Sequence, residues 1–145
     1  LAGESGGRSI LRLSTTNTTA NDLIVFFNGN GIVGRITTSG SATSYQTSSD
    51  YRLKENVVEM TGALDRIDQL KPSRFNFIAD VDTIVDGFLA HEVADVVPQA
   101  IYGEKDGVDK DGNPEYQSID HSKLVPLLVG AIKELKAEIE QLKNK

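Results

Sequence analysis

Cysteine is absent from the 145 residues, so neither a disulfide framework nor a thiolate metal site is available. Long apolar runs are missing as well. The longest unbroken one, Leu23 to Phe27, is far too short to span a bilayer, and the stretch Leu124 to Ile132 is interrupted by Pro126 and Gly130. No segment reads as a signal peptide, and the chain is expected to be soluble, with no membrane partner. Basic charge is scarce: 15 Lys and Arg against 21 Asp and Glu leave a net charge of −6. Contacts to a phosphate backbone need a cationic excess, so nucleic acid is not the expected partner. The length admits one ordinary domain, or a small domain with an extension.

The scarcity is uneven. Residues 1–48 contain no Lys and no Pro; Arg8, Arg12 and Arg35 against Glu4 and Asp22 give them a balance of +1, and the remainder carries −7. Ser, Thr, Gly and Asn crowd the first part, and the composition breaks close to Thr47. That first part reads as short strands: Ser9 to Leu13, then Leu23 to Phe27, then Ile32 to Ile36. The turn Asn28-Gly29-Asn30-Gly31 separates the last two, because Asn and Gly tolerate positive φ. Thr37 to Thr47 turns polar again. Leu23, Val25 and Phe27 alternate with Ile24 and Phe26, so both faces of that strand ask for cover that so few large side chains cannot provide. An ordinary hairpin lying on the second domain is the plain reading. The sharper one has identical chains supplying the cover, as in an intertwined β-fibre.

Beyond the break, helix and strand mix. Thr61 is a candidate N-cap for a helix placing Leu64, Ile67 and Leu70 on one face and ending at Pro72. Phe75 to Ile78 and Gly87 to Ala90 read as strands, the latter running into a short helix over His91 to Val97 that Pro98 stops. Ala100–Gly103 and Tyr116–Ile119 pair as a hairpin around the loop Glu104 to Glu115. A long helix over residues 122–145 closes the chain. Val125, Leu128, Ile132, Leu135, Ile139 and Leu142 alternate in steps of three and four, the seam of a coiled coil. A helix packing on its own domain gives similar spacing. β-branched residues at one seam position with Leu at the other favour two strands in isolation, so a trimer would need the β-rich segment to override the seam.

Three places carry candidate chemistry. Ser49 and Lys54 pair a nucleophile with a base: serine is a poor nucleophile until its proton is removed, and a lysine removes it only while neutral. An unperturbed lysine, with a pKa near 10.4, is almost fully charged at neutral pH. Burial and a nearby cation favour the neutral form; Arg52 is the candidate cation, and Asp50 acts in the opposite direction. Five residues apart, the two do not share a helical face, so a turn must join them. The second place, His91-Glu92-Val93-Ala94-Asp95, has Asp where the zinc-protease helix has its second His, and nothing fixes a third ligand beside His121. The third, Asp106 to Glu115, departs from a calcium loop at Val108 and Asp111, where a ligand and a glycine are required. Neither metal nor cofactor is expected.

Ser49-Asp50-Tyr51-Arg52-Leu53-Lys54-Glu55-Asn56 closely resembles the Ser-Asp-x-Arg-Leu-Lys-Glu-Asn signature of the phage intramolecular chaperone family, the self-cleaving domain grouped as peptidase family S74. The resemblance continues through Ala63 to Ile67, Leu70-Lys71-Pro72, Gly87 to Val93, and Leu124 to Leu128 leading into Ala131 to Leu135. Upstream, Asn30 to Ile36 and Ser44-Tyr45 look like the repeat that often precedes the cut in such fibres. His91 is a departure, since the family usually has Gln there.

The resemblance implies an α+β fold in two parts. Residues 1–49 would be the end of a β-rich trimeric stem such as a triple β-helix. Residues 50–145 would be a small mixed α/β chaperone domain with its coiled-coil-like helix. Three chains would assemble, guide the upstream fibre or tailspike segment, and release themselves by one serine-dependent cut per chain, with no turnover of other substrates. Ser49 would be the nucleophile and Lys54 the general base. Acyl-shift chemistry places the cut at Ser48–Ser49, whereas the family resemblance places it at Ser49–Asp50, which is preferred. The expected setting is a virion tail precursor assembled in the bacterial cytoplasm, with the released chaperone absent from the mature virion. A non-proteolytic structural or receptor-binding fibre tip is the alternative. A membrane-tethered transcription factor with a related domain is disfavoured, for want of a basic DNA-binding region or membrane span.

Overall fold

A computed structural model describes residues 11–144. The architecture is α+β: three small antiparallel sheets and a long C-terminal helix. The chain divides into two compact units between Val57 and Val58.

The first unit is a three-stranded meander, β1 (Asn21–Asn28), β2 (Gly31–Ser39) and β3 (Ala42–Thr47), in that spatial order. The turn read from Asn28 to Gly31 is present. The Asn30 N–H donates to Asn28 Oδ1 at 2.8 Å, and Gly31 takes φ +93°, open to glycine without strain. The pairing slips twice. Leu23 has no partner between Asp22↔Thr37 and Ile24↔Ile36, and Val33 has none between Phe26↔Gly34 and Phe27↔Ile32. Such bulges add twist and free a backbone group for another use. The Val33 carbonyl accepts the Ser48 N–H at 3.1 Å, which ties the chain leaving β3 back to β2. No side chain among described residues 11–57 is buried, and Phe27 and Tyr45 are 69% and 80% exposed.

Two expectations for this part need correction. Of the strand expected over Ser9–Leu13, Ser9 and Ile10 lie outside the described residues, and Leu11 to Leu13 are not in a strand. Next to them, Thr15 accepts the Asn17 N–H at 3.1 Å and Asn17 accepts the Thr19 N–H at 3.0 Å; such side-chain turns compete with a ladder. Conversely, the polar run Thr37 to Thr47 is mostly strand. It is rich in β-branched Thr, and a half-exposed sheet needs no apolar residue on its open face.

The second unit surrounds one small core. Ala63, Val93, Val96, Val97, Ala100, Leu124, Leu127 and Ala131 are buried, with Leu64, Ile67 and Phe88 packed against them. Helix α1 (Ala63–Ile67) is not capped by Thr61. Gly62, at φ +69°, precedes it with no side-chain cap, and the cap comes from the far end of the chain. Glu134 Oε1 accepts the Ala63 N–H at 3.0 Å and Oε2 the Leu64 N–H at 2.8 Å. The first-turn N–H groups have no partner within the helix, and the positive end of its dipole favours a carboxylate. These two backbone bonds hold the Glu134 carboxyl below its ordinary value.

Strands β4 (Ser73–Phe77) and β5 (Asp80–Gly87) form a hairpin whose tip exposes Phe77, Ile78 and Val81. The strand expected over Gly87–Ala90 meets the observed one only at Gly87, and Ala90 already opens the helix that follows; the observed strand holds Asp80, Asp82 and Asp86, which are poor strand formers. Pairing overrides that preference, and Arg74 meets Asp86 across the ladder at 2.7 Å and 3.0 Å. After α2 (Ala90–Ala94) and a 3-10 turn at Pro98–Ala100, β6 (Ile101–Tyr102) pairs with β7 (Ser118–Ile119), as expected for that hairpin. A 3-10 lead-in, His121–Leu124, then opens α3 (Val125–Lys143).

Helix α3 has two apolar faces. Leu127, Gly130, Ala131 and Glu134, spaced three, four and seven residues from the first, face α1 and the core. The six seam residues lie about a third of a turn round the helix, at 3.6 residues per turn. Val125, Leu128, Ile132, Leu135, Ile139 and Leu142 are 43–68% exposed. Within this chain, therefore, the seam is not the face that packs on its own domain.

Candidate functional site

Ser49 and Lys54 meet through a tight reversal of the chain. Asp50, at φ −65° and ψ 138°, sits at the N-terminus of a 3-10 turn over Tyr51–Leu53. Its Oδ1 accepts the Arg52 N–H at 2.8 Å, the usual service of an aspartate at that position. The Leu53 N–H donates to the Asp50 carbonyl at 3.2 Å and the Lys54 N–H to that of Tyr51 at 3.1 Å. This single turn swings the lysine stem back over the residue preceding it. Lys54 Nζ then donates to Ser49 Oγ at 2.7 Å and to the Ser49 carbonyl oxygen at 3.2 Å.

The guanidinium of Arg52 is placed elsewhere than the sequence suggested. Its Nε donates to Asp50 Oδ1 at 2.9 Å and its Nη2 to Oδ2 at 2.8 Å, a two-pronged pair that directs the cation to the carboxylate and not to Lys54. The Arg52 side-chain bonds, reinforced by its backbone N–H, hold the Asp50 carboxyl below its ordinary range, and Asp50 in turn raises Arg52. Everything from Ser48 to Val57 is solvent-exposed, so the burial expected around the lysine amine is not supplied by its own unit. Upstream, Ser48 is anchored by its N–H to the Val33 carbonyl, which leaves the two candidate bonds, Ser48–Ser49 and Ser49–Asp50, between one tethered residue and one capped turn.

The other two candidate places have structural occupations. His91 lies in the first turn of α2, where Glu92 pairs with Lys71 at 3.0 Å, and the His121 ring stands 6.4 Å from that of Phe88. Among the described residues no cluster of three or more His, Asp or Glu is placed to hold a metal ion. In the loop between β6 and β7, Asp109 is committed to its own turn. It accepts the N–H groups of Asp111 and Asn113 at 2.8 Å and 2.9 Å and the Asn113 amide at 3.0 Å. The bridge Val108↔Pro114 closes that loop as a hairpin.

Sequence reasoning treated Asp50 only as a charge beside the candidate cut and overlooked it as the cap of the turn between Ser49 and Lys54. The signal was available: an Asp immediately before a short segment free of Gly and Pro is a helix-start pattern. The role of Glu134 had no such signal, since its partners lie 70 and 71 residues away.

Residues 49–102 match the Peptidase_S74 family model, described as Chaperone of endosialidase. The match begins at Ser49 itself and covers a little over a third of the chain. Peptidase_S74 is a self-cleaving peptidase family. Among curated proteins, none matches the chain.

Proposed function

From the match of residues 49–102 to the chaperone-of-endosialidase family model, we propose that this chain is a C-terminal intramolecular chaperone for a phage tail fibre or tailspike. It trimerises, guides the upstream segment into register, and then releases itself by a single cut beside Ser49. The observation that carries the reading is the 2.7 Å contact between Lys54 Nζ and Ser49 Oγ at the first residue of the matched segment. In the reactive form the same bond runs the other way: the serine hydroxyl donates its proton to a neutral amine.

Two routes conserve atoms. At Ser48–Ser49, Ser49 Oγ attacks the preceding carbonyl through a five-membered ring, the amide becomes an ester, and water hydrolyses it. At Ser49–Asp50, one water is consumed, Ser49 gains the new carboxylate and Asp50 the new amine. Lys54 already donates to the carbonyl oxygen of the second bond, and that contact favours it.

The seam on α3 suits assembly because it is apolar, exposed and distinct from the face used by the core. Trimerisation through it, with the β-rich first unit setting the number of chains, would supply the missing burial. Neighbouring chains that cover the turn would strip water from the lysine and favour its neutral, basic form. Cleavage would then follow assembly. The cut chaperone would leave a stem trapped by its own interleaving, in a virion tail precursor built in the bacterial cytoplasm. The exposure of the pair in one chain is also the observation that favours the alternative, a fibre tip that never cuts.

Mass measurement on denatured protein separates the two. The wild type is expected to yield a fragment beginning at Asp50, or at Ser49 if the acyl shift operates. Ser49→Ala and Lys54→Ala should stay whole as intact trimers. Lys54→Arg should not restore cutting, because a guanidinium does not give up its proton near neutral pH. Processing of Ser49→Ala at the same bond refutes the assignment.

A further inference from the structure

We propose that Asp50 is a positioning residue for self-cleavage, holding Lys54 on Ser49 through its side-chain cap of the turn Tyr51–Leu53. This rests on the self-cleavage reading and adds to it a residue whose part is geometric. Six consecutive exposed residues have no packing to hold them in one shape. The bonds that define the reversal begin at Asp50: its side chain accepts the Arg52 N–H at 2.8 Å and its carbonyl the Leu53 N–H at 3.2 Å. Lys54 follows at once, its N–H on the Tyr51 carbonyl and its Nζ on Ser49. Without the cap, the turn competes with extended backbone, in which a lysine five residues along points away from the serine. The Arg52 guanidinium closes over the same carboxylate from outside and restricts its rotation.

The cap and the charge of Asp50 make opposite demands on replacements. Asn and Ser keep a short acceptor able to reach the Arg52 N–H and lose the charge. Glu keeps the charge on a side chain one methylene too long to cap well, and Ala loses both. The experiment follows the rate of fragment formation by mass in the purified full chain carrying Asp50→Ala, Asp50→Glu, Asp50→Ser or Asp50→Asn, beside wild type and Ser49→Ala, with trimer content checked by sedimentation. Removing the cap should slow cleavage roughly fivefold in the Ala and Glu variants, from the typical worth of an N-cap aspartate, while Ser and Asn recover most of the rate. Recovery by Glu but not by Ser or Asn would assign the effect to charge at the cut and overturn the proposal. So would a wild-type rate for Asp50→Ala. Those results leave self-cleavage standing as long as Ser49→Ala is inert. Undiminished cutting of Ser49→Ala, or an uncut wild type, removes the parent reading and the positioning role with it.

Discussion

Replacing Leu135 or Leu127 by Ala removes the same atoms from the same helix, yet the two changes should have separable effects. Leu135 is 48% exposed in the single chain, so about half of it is left for a partner to cover. Fully burying a leucine contributes about 1.5–3 kcal/mol, which leaves roughly 1 kcal/mol per chain to be gained when an assembled seam covers the rest. In the proposed trimer, three chains would lose roughly 3 kcal/mol together, a weakening of assembly of about two orders of magnitude. Leu127, 2% exposed, packs in the core beside Ala63 and Ala131. Its truncation opens a cavity and should cost the second unit about 2–5 kcal/mol of folding stability. Sedimentation equilibrium over a range of concentrations reads the first effect, and urea unfolding of dissociated chains the second. Leu135→Ala should shift the association midpoint and barely move the unfolding of the single chain; Leu127→Ala should do the reverse. If Leu135→Ala assembles like the wild type, the exposed face of α3 is not the contact between copies, and the reasoning from its two faces is wrong.

Three further outcomes are expected. Glu134→Gln should destabilise the second unit near neutral pH and flatten its acid dependence. The folded carboxyl sits below its ordinary value, so its contribution is present above the unfolded Glu pKa and lost as pH falls through the lowered folded one; parallel urea midpoints for wild type and variant across that range would show otherwise. Gly130→Ala should destabilise despite a helix-propensity gain of about 1 kcal/mol, because the new Cβ would stand 2.7 Å from Met60 Cε and 2.9 Å from Ala63 Cβ. The methionine tip can swing aside, but the buried Ala63 moves only with α1, and overpacking of this kind costs about 1–3 kcal/mol; a thermal midpoint at or above wild type refutes it. Finally, residues 1–49 fused to their natural upstream fibre should fail to assemble when expressed without residues 50–145, yet persist when those residues are removed after assembly; equal yield of soluble trimer without them would end the chaperone reading.

Much of the α+β fold was legible where the signal is local. The Asn28–Gly31 turn and the β6–β7 hairpin each depend on a few neighbouring residues. What stayed hidden depends on partners far along the chain. The Glu134 cap on α1 joins residues more than 60 positions apart, and β5 is a strand because β4 pairs with it, against the preference of its aspartates. The seam was readable as a pattern, but its competitor was separable only once Leu127, Gly130 and Ala131 had claimed the other face. At the candidate site, residue types pointed to Ser49 and Lys54, while the turn joining them followed from an Asp50 side chain read only for its charge.

The Ser49–Lys54 contact closes a loop of six residues, and that brevity bears on timing. Loops of about ten residues close within about 10–100 ns, whereas subunit assembly takes milliseconds to minutes and depends on concentration. A pair this local forms and reforms many times before a second chain arrives, so its geometry carries no information about whether a fibre is complete. If the cut is to wait for the fibre, the delay must come from the surroundings of the pair, such as the water removed when other chains close over it. On that reading the fuse would be present from the moment the turn is synthesised, and assembly would act by keeping it dry.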